Sequence, residues 1–209
     1  ESLGAELSAS SSLDRTTVSL SALSSRLEDS IELWADVIRY PVFDQQEIDR
    51  LRGRRMAQIA QEKAQPMSLA LRLLPPVLYG KKHAYGIPYT GSGTESSIQS
   101  ITRDDLVSFH DTWLSPANAT IYAVGDTTLD ELVVPLERAF RGWSAGASRA
   151  TKNVAEVGLP PAPRLVVIDK PGAPQSLILA GHVVPGLGSD RDIAIQAMNS
   201  VLGASFNAR

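Results

Sequence analysis

The side chains best placed to do chemistry lie on a segment from Gln45 to Lys63, which has no internal proline and is dominated by good helix formers. Residues seven apart project nearly in line along a helix, so Leu51 and Gln58 point the same way and Arg55 and Glu62 project close to them. Carboxylates at such a spacing would suit a metal or general acid–base work. Here the aligned pair is an alkyl group and an amide. Zinc sites use Cys, His and carboxylates, so Gln58 is a poor ligand and Leu51 none. The three histidines, His83, His110 and His182, are far apart and none has metal-ligand spacing. The chain contains no cysteine, which excludes disulfides and thiol catalysis within it.

The elements that must position this helix follow from local pattern. Asp44 stands where an N-cap belongs, with Glu47 three residues later in capping-box spacing. Ile48, Leu51, Met56 and Ile59 form its apolar side, with Arg52 and Arg55 in the same stripe. Upstream, Ala5, Leu7 and Ala9 alternate with polar residues, as do Val18, Leu20 and Ala22, around a turn at Ser11–Arg15. This predicts two antiparallel strands with one apolar face. Ser25 and Glu28 have capping-box spacing before a helix striped by Leu27, Ile31, Trp34 and Ile38, which Pro41 stops.

Downstream, Met67–Leu78 reads as a helix that Pro75 and Pro76 should kink or end. Residues 81–93 form an aromatic- and glycine-bearing loop. A helix starts at Thr102 or Arg103 and carries Leu106, Phe109 and Trp113. Ala119–Val124 reads as a strand, Leu129–Phe140 as a helix, Arg164–Ile168 and Ser176–Val184 as two strands, and Ile193–Leu202 as a helix. The stretch 146–163 is rich in Ala, Gly, Ser and Pro and is the linker candidate. The β-then-α texture recurs after it. The expected architecture is α+β, an antiparallel sheet packed with helices.

The order Pro41-Val42-Phe43, helix, Pro66, Tyr79-Gly80, His83-Ala84-Tyr85-Gly86 resembles the zinc peptidases of the pitrilysin/insulinase family (M16), which include the mitochondrial processing peptidases. The resemblance covers nearly the whole chain. LGAELSASSSLDRTTVSLSAL resembles the family's hairpin after its motif helix, and ITRDDLVSFHDTWLSPANATIYAVGD its helix-to-strand element. AIQAMNSVLGASFNAR resembles the start of a following repeat. It implies a LuxS/MPP-like metallohydrolase fold, with 1–145 a repeat lacking its first strands and motif helix, 146–163 a linker, and 164–209 the incomplete start of the next repeat.

Active members carry an inverted His-x-x-Glu-His motif, a zinc-binding glutamate on a later helix and a supporting glutamate seven residues before it. The alignment puts Gln58 and Leu51 at those two glutamate positions, and no His-x-x-Glu-His occurs. The resemblance therefore implies a segment of the non-catalytic half, with no catalytic or metal residue of its own and zinc held in a partner half. The partners implied are an active M16 half or subunit and a polypeptide substrate. An Arg/Tyr pair that reaches substrate in active members would follow the last residue, so Arg209 is not given that role. Periplasmic location is the family-based expectation for bacterial relatives. A scaffold subunit of the same fold without peptidase activity, like the respiratory-complex core proteins, is the rival reading; an enzyme using another site around His83 is a second.

Other features have plainer readings. Net charge is −3, which argues against a partner held by phosphate attraction. No apolar run reaches 18 residues, so no membrane span is expected. Arg50, Arg52, Arg54 and Arg55 read as a solvated helix face. Gly91-Ser92-Gly93 reads as a turn, because it lacks phosphate-loop spacing and a following lysine. His110 and Asp111 are adjacent on a helix and point apart, so no catalytic pair is read from them. His182 reads as a sheet residue, and Trp34, Trp113 and Trp143 as core. His83, Tyr85 and Arg55 are the substrate-contact candidates: the first two in a loop, the third by helical phase beside the pseudo-site, where it could fill part of a metal's volume and pair with Glu62.

Overall fold

A computed structural model describes residues 3–144, 150–158, 162–186 and 188–204. Residues 146–149 and 159–161 of the linker candidate, and Arg209, lie outside the described residues. The two alternating segments form strands β1 (Glu6–Ser11) and β2 (Thr16–Ser21), paired antiparallel. Leu7 faces Leu20 and Ala9 faces Val18, so the apolar set shares one face as the alternation requires. The turn is closed by Ser12 N–H donating to Arg15 O at 2.8 Å.

Helix α1 (Leu27–Arg39) buries Ile31 and Ala35 and lays Trp34 against β2, where the indole N–H donates to Val18 O at 3.1 Å. The expected capping box at Ser25 and Glu28 does not form. Ser25 is taken up in a 3-10 turn, Ser24–Arg26, so α1 starts later with no side-chain cap. Glu28 instead pairs with Arg138 on α6 (Leu129–Ala139), at 2.9 Å. α6 packs on α1, with Trp34 edge-on to Phe140 at 5.4 Å and Phe140 against Trp143 at 5.1 Å. Arg39 completes the joint by donating to Ala139 O at 2.7 Å and Arg141 O at 3.0 Å, carbonyls at the end of α6 that lack intrahelical donors.

Helix α2 (Gln45–Ala64) starts at Asp44, whose carboxylate accepts from the N–H groups of Gln46 and Glu47. Only half of the capping box is made, because the Glu47 carboxylate pairs with Arg50 at 2.6 Å. Ile48 and Ile59 are buried as the stripe implied, while Leu51 is 49% exposed.

Helix α3 (Pro66–Tyr79) follows α2 and packs against it, and it continues through Pro75 and Pro76 rather than stopping. Pro75 has no N–H for Leu71 O, and that carbonyl accepts from Tyr89 N–H at 3.3 Å instead. The loop that follows α3 thus repairs the break, and Pro75 is fully buried. Short α4 (Glu95–Ser100) and α5 (Arg103–Trp113) each begin with a threonine capping box, at Thr94 and Thr102. α7 (Asp192–Asn199) lies near the expected position.

The expected strands at Ala119–Val124, Arg164–Ile168 and Ser176–Val184 are not strands among the described residues. A strand exists only through its neighbour's backbone, and none of the three finds one. Their apolar side chains accordingly stand exposed, including Tyr122, Val124, Leu165 and Ile178. A cleft of about 1700 Å³ separates β2 and α1 from residues 118–127. The architecture is α+β, a small antiparallel sheet packed against helices. None of the described helices is long and apolar enough to cross a membrane.

Ile59 is fully buried where α2 meets α3. Ile59→Ala in the full protein is expected to cost about 2–5 kcal/mol of stability, read by denaturant unfolding monitored at a tryptophan. A loss no larger than that of an exposed substitution such as Leu51→Ala would show that this contact does not hold the helices together.

Candidate functional site

The α2 face that carries Gln58 is a continuous run of hydrogen bonds. Arg55 Nη1 donates to Gln58 Oε1 at 2.9 Å, and Gln58 Nε2 donates to Glu62 Oε1 at 2.9 Å. The other Glu62 oxygen accepts from Arg72 Nη1 at 2.6 Å, Ser92 Oγ at 2.7 Å and Thr90 Oγ1 at 3.1 Å. Arg72 also donates to Ser92 Oγ and, through Nη2, to Gly93 O at 2.6 Å. Glu62, Arg72 and Ser92 are all buried.

Both oxygens of Glu62 accept hydrogen bonds, and the amide of Gln58 is used at both ends. No group of three His, Asp or Glu side chains able to hold a metal occurs among the described residues. Arg55 is exposed and reaches Glu62 only through Gln58, because Arg72 takes the direct ion pair.

Sequence reading missed Arg72, Thr90 and Ser92 as members of this cluster. The signal available was Arg72 itself, the one charged residue in an otherwise apolar helix, Pro66–Tyr79. A buried guanidinium needs a carboxylate nearby. Gly91-Ser92-Gly93 is a turn, as expected, with φ of +66° at Gly91 and +72° at Gly93. Its serine hydroxyl serves a carboxylate, which rules the turn out as an anion cradle.

The remaining candidates lie elsewhere. His83 sits in the loop after α3, its Nε2 2.8 Å from Ala155 O, its Nδ1 accepting Tyr85 N–H at 3.0 Å, and its ring stacked on Tyr79 at 5.3 Å. Tyr85 donates its hydroxyl to Asp14 at 2.7 Å. His110 does touch Asp111, at 3.3 Å, but its Nε2 is spent on Ile38 O at 2.7 Å, so no ring nitrogen is left for a substrate. Its ring meets Phe43 at 5.9 Å, and Phe43 holds φ +50°, a left-handed conformation costly for an aromatic residue. Arg103 fixes that turn by donating to Val42 O at 3.2 Å and Phe43 O at 3.1 Å. His182 is exposed and lies outside any strand.

Burial raises the Glu62 pKa, but hydrogen bonds from Ser92, Arg72, Gln58 and Thr90 together outweigh it and hold the carboxyl below its ordinary value. A depressed carboxylate contributes stability that is fully present above its unfolded pKa and is lost as pH falls through its folded value. Wild-type stability is therefore expected to drop in acid below the usual glutamate range, with Glu62→Gln flattening that drop in pH-dependent denaturant melts. Arg72→Met at neutral pH strands the carboxylate and should cost about 3–5 kcal/mol. The double variant Glu62→Leu/Arg72→Met should lose less than Arg72→Met alone. A double-variant loss equal to the sum of the Glu62→Leu and Arg72→Met losses would mean that the pair is not coupled.

With this geometry in place, relatives can be compared. Residues 100–209 match the family model described as the peptidase M16 inactive domain, and residues 1–87 match that of insulinase, peptidase family M16. An uncharacterized zinc protease of Mycobacterium leprae is 25% identical over the whole chain, which spans 46% of that relative. Its counterpart in Mycobacterium tuberculosis is 26% identical, again over the whole chain and 47% of the relative. The human mitochondrial-processing peptidase subunit beta is 29% identical over 64% of the chain and 27% of its own length. The chain thus spans less than half of the mycobacterial relatives. In three dimensions, a peptidase M16 inactive domain from Pseudomonas fluorescens aligns with TM-score 0.68 and 25% identity over 76% of this chain and 38% of that one. A protease from Helicobacter pylori shares the fold, with TM-score 0.64 over 73% of this chain and 37% of its own. The motif order, the fold and the matched models agree: this chain belongs to the peptidase M16 family.

Proposed function

We propose that the chain is a non-catalytic segment of an M16-type zinc endopeptidase acting on polypeptides. It supplies wall to the substrate chamber and contacts to the metal-bearing half. The observation that carries this reading is the occupied pseudo-site: at the family's glutamate position Gln58 presents an amide bonded on one side to Arg55 and on the other to Glu62. An amide in that setting is a poor zinc ligand, so zinc and the water it activates belong to the other half, together with the glutamate that acts as base.

Residues 1–145 form one repeat, 146–163 its linker and 164–209 the opening of the next. The cleft between β2 and residues 118–127 is where the first strands of the repeat would complete its sheet. Exposed Tyr122 and Val124 support that assignment. Of the substrate-contact candidates, Arg55 keeps an exposed guanidinium beside the pseudo-site and is the side chain placed to meet a bound peptide. His83 and Tyr85 already have internal partners.

In the full protein, Gln58→Ala is expected to leave bound zinc, counted by elemental analysis, and chelator-sensitive peptide cleavage unchanged within about twofold, as for other substitutions outside a critical contact. Loss of an equivalent of zinc with this variant would overturn the reading. Absence of both zinc and cleavage in the unmodified full protein would instead favour the scaffold role.

A further inference from the structure

The arginines of α2 divide into two pairs once the helices have packed. Arg50 lies 2.6 Å from the Glu47 carboxylate. Arg52 pairs with Asp49 at 2.5 Å and also donates to Ile98 O at 3.1 Å and Ile101 O at 2.7 Å, carbonyls around the end of α4. These two guanidiniums are engaged inside the molecule. Arg54 is exposed and makes no hydrogen bond or ion pair with the described residues. Arg55 is also exposed and gives one Nη1 donor to Gln58 Oε1, a neutral acceptor, leaving the rest of its fork open to water.

The carboxylates that could neutralise Arg54 and Arg55 are already committed. On α2 itself Glu47 serves Arg50, Asp49 serves Arg52 and Gln45, and Glu62 serves Arg72 and Gln58. Asp44 caps the helix. The helices packed against α2 bring no further partner: α3 carries no acidic residue, and Glu95 on α4 pairs with Lys63. Two cations are therefore left without an anion among the described residues, and a guanidinium keeps its charge throughout the range where proteins work.

Helical phase puts both on the face already described. Arg54 and Arg55 precede Gln58 by four and three residues, the spacings at which helical side chains are neighbours, so they flank its amide. Arg50 stands four residues before Arg54, and like charges at that spacing repel mildly. The negative charge nearest this face, Glu62, is buried and matched by Arg72. An arriving anion thus meets donors and no free carboxylate. The planar fork of arginine matches a carboxylate in size and geometry.

We propose that Arg54 and Arg55 bind carboxylate side chains of a polypeptide lying along this face, so that the protein favours acidic peptide segments over neutral ones. The proposal rests on the reading of this face as chamber wall and adds the charge class of the substrate. A peptide fits better than a nucleic acid: two cations on a chain of net charge −3 cannot neutralise a run of phosphates. Both contacts are exposed to water, so the preference is modest and sensitive to salt.

Stopped-flow anisotropy on the full protein, read before any turnover, tests this with a labelled peptide carrying paired glutamates and with its glutamine counterpart. The glutamate peptide is expected to bind about fivefold more tightly at low salt, as two exposed ion pairs allow, and the difference should fade toward about 0.5 M salt. Arg54→Gln/Arg55→Gln should remove the preference and leave binding of the glutamine peptide within about twofold, with the denaturant midpoint unchanged because both positions are on the surface. Arg50→Gln, which removes a guanidinium already paired with Glu47, should keep the preference. Equal binding of the two peptides, a preference that survives in the double variant, or one that Arg50→Gln abolishes just as well would each overturn the proposal and leave the chamber reading standing. Failure of both peptides to bind would sink the two together. A single-stranded oligonucleotide that binds more tightly than the glutamate peptide, and is released by the same double variant, would assign the patch to nucleic acid instead.

Discussion

The buried pair of Glu62 and Arg72 is the constraint on which the rest is arranged. It joins the end of α2 to the middle of α3 and, through Ser92, Thr90 and Gly93, anchors the loop that follows. Two charges can be withdrawn from water only if each is paired and its remaining donors or lone pairs are used. Here both oxygens of the carboxylate accept hydrogen bonds, and the guanidinium serves three acceptors, on α2 and on residues 92–93. The geometry of that loop is fixed as a consequence, and so is the Tyr89 N–H that repairs the backbone gap left by Pro75.

The same network sets what the α2 face can do chemically. A metal site needs lone pairs that converge on one point and are otherwise free. On this helix the lone pairs are consumed by neighbours. Gln58 is suited to its place because an amide can accept from Arg55 and donate to Glu62 simultaneously; a carboxylate could not donate. Leu51, seven residues before Gln58, lies half in solvent and contributes nothing polar.

Much of the fold was legible in local pattern. The hairpin, α1, α2, α5 and α6 follow from alternation, helical stripes and caps, and each forms close to its expected bounds. The local rules failed where a tertiary partner intervened. Ser25 yields its cap to a 3-10 turn while Glu28 goes to Arg138, and Pro75–Pro76 stay helical because Tyr89 fills the open carbonyl. They failed in the opposite way at 119–124, 164–168 and 176–184, whose alternation has no neighbouring strand to pair with among the described residues.

The sequence by itself determined the family resemblance, the absence of a His-x-x-Glu-His motif and the alignment of Leu51, Gln58 and Glu62 along one helix face, because these depend on residue type and spacing alone. Only the tertiary structure decided what those residues do. Arg72, ten residues beyond Glu62, claims the carboxylate that helical phase had offered to Arg55, and Ala155, 72 residues beyond His83, claims the imidazole. Helical phase predicts which side chains point the same way. Which one wins a buried charge is set by distance and desolvation, and those exist only once the helices have packed.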